Sequence, residues 1–210
     1  MSRKAAKKRR QTVKPKGIFC IEGSWTGRID KPMSVRPALE LLGQWDPFNI
    51  PFSHRDVITR AEFEVYLKKW CQVGNQKKYP ILYIALHGDT DELYLGDGRK
   101  SENTVTLDEL EDMLSGQCHR RIIHLGSCGT MNVHGRRLNR FLRNTRALAV
   151  CGYCEDVLWL DSMAFELMVF GAMQLNSLTR PGAKAMSRRI FNKKKSGEMA
   201  RSLGFRMVIA

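Results

Sequence analysis

Apolar residues along the chain fall into two rhythms. Short continuous runs rich in Ile, Leu and Val alternate with segments whose apolar positions recur every three or four residues. The runs read as buried strands and the recurring positions as amphipathic helices. Strands are predicted at Gly17–Glu22, Phe48–Val57, Ile81–Leu86, Ile122–Leu125, Ala147–Gly152 and Phe205–Ile209. Helical spacing covers Ser34–Trp45 through Val35, Leu39 and Leu42, with Pro37 near its start where proline is tolerated. Thr59 to Glu62 and Thr106 to Glu109 are capping boxes; the first precedes Phe63, Tyr66, Leu67 and Trp70, and the second opens a helix to about Ser115 with Gly116 as its stop. Leu138, Phe141 and Leu142 mark another helix, and Ser162–Leu175 another. Pro181–Gly182 is expected to break the chain before a basic helical stretch to Phe191, followed by a short helix from Ser196 to Leu203. Between the Ile81 and Ile122 strands, Glu92–Leu95 reads as a short extra strand with a turn at Asp97–Gly98. Strands and helices alternating at these lengths predict an α/β fold, a three-layer αβα sandwich with a mostly parallel central sheet.

Two of the strand runs end in the same way. Ile81–Leu86 runs into His87–Gly88, and Ile122–Leu125 runs through Gly126 and Ser127 into Cys128–Gly129. In such sheets, ligands and catalytic groups collect beyond the carboxyl ends of the strands. Neighbouring strands would bring an imidazole and a thiol to one edge, as a cysteine nucleophile and its base. A core thiol and a hydrogen-bonded histidine are the alternative.

Composition adds limits. The chain has 210 residues, 43% of them hydrophobic, enough for one sizeable core. No stretch approaches the roughly 20 apolar residues that span a bilayer. The apolar run Gly17–Ile21 is too short for a secretory signal, so no membrane association and a cytoplasmic location are expected. The six cysteines are spread through strand-like and helix-like segments and read as reduced thiols. Cys151 and Cys154 form a lone CxxC at the end of a late strand and read as core thiols; no metal or cofactor is expected. The net charge of +14 sits at the ends: residues 1–16 hold eight Lys or Arg and no acid, and residues 180–210 hold nine with one acid. The stretch between has 18 basic and 20 acidic residues. Residues 1–16 therefore read as a basic tail, disordered or binding phosphate backbones without sequence preference, and 17–210 as a single domain with a basic C-terminal helical extension from about 180.

The ordered set resembles the caspase-like (caspase–haemoglobinase fold) cysteine peptidases, and within them the CHAT branch related to separase. The residues that carry the resemblance are the strand ending His87–Gly88, the run Leu93 to Gly98, Val105 to Leu110, Ile122 to Thr130, Ala147 to Gly152, and Trp159 to Phe165. The whole chain also resembles an uncharacterised bacterial family of similar length. The resemblance implies that Cys128 attacks a scissile peptide carbonyl and that His87 serves as base or proton donor. It further implies that the backbone N–H groups of Gly88 and Cys128 bind the oxyanion of a protein or peptide substrate. Relatives that cut after Arg or Lys place acids near the nucleophile. The acids available here are Glu155, Asp156 and Asp161, with Glu155 the first choice and Asp161 also readable as a helix cap. The Gln-Ala-Cys signature of true caspases is missing, and Gly126 stands where related enzymes carry an acid two residues before the nucleophile.

Among the other histidines, His124 is expected to point into the packed sheet. His54, on the same sheet edge as His87, is a candidate support for the site, and His119 and His134 read as loop and helix-start residues. Two competing functions stay open: an idle caspase-like scaffold binding nucleic acid or an acidic partner through the basic ends, and a cysteine hydrolase of non-peptide amides or esters. The oligomeric state is left open.

Overall fold

The computed structural model describes residues 14–28, 30, 33–96 and 101–210. In chain order the elements are β1 (Ile18–Glu22), α1 (Arg36–Gln44), β2 (Phe52–Asp56), α2 (Arg60–Cys71), α3 (Val73–Lys78), β3 (Ile81–Ala85), β4 (His87–Asp89), β5 (Glu92–Tyr94), β6 (Thr104–Thr106), α4 (Leu107–Met113), β7 (Ile122–Leu125), α5 (Gly135–Thr145), β8 (Ala149–Tyr153), α6 (Trp159–Gln174), α7 (Arg180–Asn192), α8 (Lys194–Ser202) and β9 (Phe205–Ile209). Six strands form the main sheet in the order β2-β1-β3-β7-β8-β9, parallel except for β9. β4, β5 and β6 make a small antiparallel sheet.

Alternation along the strands sorts side chains to two faces. Ile18, Cys20, Tyr83 and Cys151 pack with Leu39, Val169, Phe170, Met186 and Ile190, which places α1, α6 and α7 on one side. Phe19, Ile21, Leu82 and Ile84 pack with Phe63, Leu67, Leu110, Leu138 and Phe141 from α2, α4 and α5 on the other. The fold is thus the expected αβα arrangement with a mostly parallel sheet. From β1 the chain moves outward to β2 and then returns to β3 on the opposite side of β1. The strand order therefore reverses between β1 and β3, where α/β sheets open a crevice at their carboxyl edge.

Local chemistry accounts for the element ends. Thr59 and Thr106 both form the predicted capping boxes, each hydroxyl accepting from the N–H of the Glu three residues on. Pro181–Gly182, expected as a break, lies inside the first turn of α7. Thr179 caps the Gly182 N–H, Pro181 occupies an early position where its missing N–H costs nothing, and a Cβ on Gly182 would fall 2.0 Å from the Ser177 carbonyl oxygen. The strand expected to reach His87 stops at Ala85, and the chain turns directly into β4. The expected turn at Asp97–Gly98 lies outside the described residues. So do residues 1–13 of the basic tail, whereas Lys16 is buried, with its backbone N–H and Nζ donating to Gln174. At the other end, Met186, Ile190 and Ala200 of the basic segment sit in the core, so α7 and α8 belong to a helical layer. Among the described residues no helix is long and apolar enough to cross a membrane.

Candidate active site

His87 and Cys128 arrive at the carboxyl edge on adjacent pieces of backbone. β3 and β7 pair in parallel, and the segments following them continue side by side. A Cβ on Gly88 would lie 2.9 Å from Ser127 Cβ and 2.5 Å from Thr130 Oγ1; one on Gly129 would lie 3.4 Å from the Asp89 backbone. Glycine at 88 thus lets the Ser127–Thr130 loop press against β4, a reason internal to the fold. Gly129, at φ 63°, takes the left-handed turn that follows Cys128. The loop is pinned by Ser127 Oγ to Thr130 Oγ1 at 2.7 Å, by the Gly129 N–H to the Glu155 carbonyl at 3.2 Å and by the Met131 N–H to the Tyr153 carbonyl at 2.9 Å.

The His87 side chain is exposed, with its ring edge-on to Trp25 at 5.1 Å between centroids. Its Nε2 lies 2.9 Å from the Trp25 carbonyl oxygen. A carbonyl only accepts, so this bond puts the proton on Nε2 and leaves the lone pair of the neutral ring on Nδ1. Cys128 is half-buried, and its Sγ accepts from the Val157 N–H at 3.4 Å. Burial pushes its thiol above the ordinary cysteine range; the Val157 N–H draws it back, while Asp156 and Asp89 raise it again. His87 and Cys128 each bond to a neighbouring backbone group, and no hydrogen bond joins the two to each other.

The acidic candidates are divided by the fold. Glu155 folds over Gly204, where an added Cβ would meet its Cγ at 3.0 Å, so its side chain turns toward the start of β9. Asp161 is exposed in the first turn of α6; the helix is capped at Leu158 without a side-chain bond, so the capping role read for Asp161 is not made. Asp156 lies near enough to Cys128 to act on its thiol.

A second His–Cys pair lies inside the protein. His124 Nδ1 is 3.4 Å from Cys151 Sγ, and His124 Nε2 is 3.0 Å from Glu166 Oε1. Tyr83 donates to the other oxygen of Glu166, and the Tyr153 hydroxyl reaches Oε1 at 3.3 Å. His124 and Cys151 are both 0% exposed, so no substrate carbonyl reaches this thiol. The core role expected for His124 and Cys151 matches this placement. Burial opposes charge on His124, yet Cys151 and Glu166 hold its pKa up at about 10, making an imidazolium–carboxylate pair. A Cβ on Gly126 would touch Tyr83 at 2.5 Å and Glu166 at 2.9 Å, so this buried cluster lies directly beneath the strand end that leads to Cys128.

Sequence reasoning missed Trp25, Val157 and Glu166. None has a local signal: Trp25 and Val157 hydrogen-bond His87 and Cys128 through backbone groups, and Glu166 meets β3, β7 and β8 only in the folded chain.

Comparison with solved structures finds the fold in the crystal structure of caspase-1 from Spodoptera frugiperda, with a TM-score of 0.51 over 94% of this chain and 87% of that one. Sequence identity is 10%, so the likeness is one of fold. No curated protein matches the chain's sequence. The family model that does match spans residues 15–208, and on that coverage the chain belongs to DUF6642, a family of unknown function.

Proposed function

We propose that the protein is a caspase-like cysteine hydrolase that cleaves peptide bonds with His87 and Cys128. The observation that carries the reading is the contact between β4 and the Ser127–Thr130 loop, together with a His87 tautomer that leaves Nδ1 able to accept a proton. In this mechanism Sγ of Cys128 forms a bond to the scissile carbonyl carbon as its proton passes to His87. The N–H groups of Gly88 and Cys128 receive the developing oxyanion. Collapse breaks the C–N bond, His87 returns the proton to the leaving amine, and water hydrolyses the thioester. Because the resting thiol is held protonated by burial, removal of its proton during attack is the task assigned to His87. The carboxylates acting on Cys128 support a preference for a cationic residue on the acyl side of the cut. Asp156 is the better placed acid for that role, since it acts on the Cys128 thiol while the Glu155 side chain lies against Gly204.

The test is covalent labelling. An acyloxymethyl ketone ending in lysine is expected to label Cys128 in preference to Cys20, Cys71, Cys118, Cys151 and Cys154, and His87→Ala to slow that labelling by about a hundredfold or more. Labelling of Cys128 that is no faster than that of half-buried Cys71, or that is indifferent to His87, would refute the assignment.

A second reading, phosphate-backbone binding, is favoured by one observation. Lys184, Arg188, Arg189, Lys193, Lys194 and Lys195 are all exposed on α7 and α8 or between them, and none forms an ion pair among the described residues.

A further inference from the structure

Behind His87, at the carboxyl end of β1 beside β3, sits a carboxylate that the hydrolysis above does not use. Glu22 is the last residue of β1, and its side chain is 1% exposed. Both oxygens are occupied. Oε1 accepts from the Trp25 indole N–H at 2.5 Å and from the Val35 N–H at 2.7 Å. Oε2 accepts from Ser34 Oγ at 2.6 Å and pairs with His54 Nε2 at 2.5 Å. Burial pushes this carboxyl up, and the four donors outweigh burial and hold it below the ordinary carboxylate range.

Glu22, His54 and Asp56 also have the spacing of a metal site, with ligand atoms within 4.8 Å of one another. The hydrogen bonding argues for a different role. With Oε2 already taking Ser34, the His54 contact is satisfied by an Nε2 proton, and a protonated nitrogen does not ligate. Of the other ionisable groups nearby, Asp56 Oδ1 is 3.9 Å from His54, and Cys20 is a fully buried thiol pushed far up by burial.

One of the four donors leads to the candidate active site. Trp25 gives its indole N–H to Glu22 and its carbonyl oxygen to His87, and its ring packs edge-on against the imidazole. The residue that sets the tautomer and tilt of His87 is therefore itself held from behind by a buried carboxylate. We infer that Glu22 is a positioning residue: it fixes Trp25, and through the Trp25 carbonyl it keeps His87 protonated on Nε2 with Nδ1 as the basic nitrogen. The inference rests on the dyad proposed above. Phe or Leu at 22 would fill the same space at less electrostatic cost, but would leave Trp25 without its anchor.

Two variants and one background test it. Trp25→Phe keeps the backbone carbonyl and an aromatic ring while losing the indole N–H. Glu22→Gln keeps the shape and puts a donor against one of the existing donors. In each, alkylation of Cys128 by iodoacetamide at neutral pH is expected to slow about tenfold, a part of the contribution a general base makes. On a His87→Ala background neither substitution should slow it further, because the effect passes through His87. Nitrogen-15 NMR of the His87 ring should report the Nε2–H tautomer in the wild type and a mixture in Trp25→Phe. That readout stands apart from hydrolysis: if Cys128 of the wild type does not label, the dyad falls while the tautomer still decides the role of Glu22. An unchanged tautomer in Trp25→Phe overturns the inference, as does a slowing of equal size with and without His87. Glu22→Gln serves as a second line of evidence where its melting curve matches the wild type, and Trp25→Phe decides where it does not.

Discussion

Burial raises the Cys128 thiol, the Val157 N–H lowers it, and Asp156 and Asp89 raise it once more, so this thiol rests on a balance of neighbours that single substitutions can move. Only the thiolate attacks, and a nearby negative charge disfavours it. Asp156→Asn removes one such charge, so the thiol becomes more acidic and the pH–rate curve for alkylation shifts toward lower pH. Iodoacetamide at pH 7.5 should then modify Cys128 about twice as fast, a modest gain because the loop is near water and the charge is screened. Cys154 serves as internal control. Its thiol is raised by burial and lowered by Arg206, with no contribution from Asp156, and its rate should stay the same. Slower labelling of Cys128 in Asp156→Asn would mean that the acid orders the Val157 loop and does not act by its charge. At this scale the sequence singles out positions and says little about what surrounds them. His87, Gly88 and Cys128 stand out because strand-like runs end at them. The carbonyl of Trp25 and the N–H of Val157 are backbone groups that any residue type could supply, so no pattern marks them.

Elements were legible where an energetic signal is local. The two capping boxes, the buried runs of β1, β3 and β7, and the Leu138–Phe141–Leu142 face of α5 all follow from neighbouring residues. α3 has no buried residue and no apolar repeat, and β4, His-Gly-Asp, has no apolar side chain to mark it as a strand. The cluster joining β3, β7, β8 and α6 was hidden for another reason: His124 and Glu166 are 42 positions apart and meet only through tertiary packing. That cluster makes a prediction about stability. The His124 pKa in the fold is about 10 against an ordinary 6.5, so its pairing contributes fully below pH 6.5 and is lost as the pH climbs through 10. Urea denaturation should give a free energy that falls between those limits. Glu166→Gln should flatten that fall and lower stability at pH 7 by roughly 3–5 kcal/mol, the usual cost of orphaning one member of a buried pair. A Gln variant whose pH dependence runs parallel to the wild type would show that Glu166 is not what holds the His124 proton.

At the scale of the whole molecule, Glu22, Trp25 and His87 meet beyond the carboxyl ends of β1 and β3, where the strand order reverses, with the β7 loop beside them. The αβα architecture followed from the alternation of runs and repeats, because the inner strands β1, β3, β7 and β8 are buried at every position and are mostly apolar. Charge is organised on a different plan. The stretch between the basic ends is close to neutral, whereas residues 1–13 alone carry six Lys or Arg and no acid. Lys16 belongs to the fold through Gln174, so the tail is properly removed at residue 13. If these cations contact phosphates, each releases a counterion from duplex DNA, and log K falls with log salt by about 0.9 for each phosphate neutralised. Filter binding of a short duplex across 50–200 mM salt should therefore show a steep slope for the full chain. Deleting residues 1–13 should lower it by up to about five. Replacing Lys193, Lys194 and Lys195 by Gln should lower it separately, by up to about three, since exposed cations far from other partners act additively. A slope unchanged by both would reduce the basic ends to solubilising charge. Steep binding that survives Cys128→Ala would show that the polyanion surface works independently of the dyad, as its separate set of residues requires.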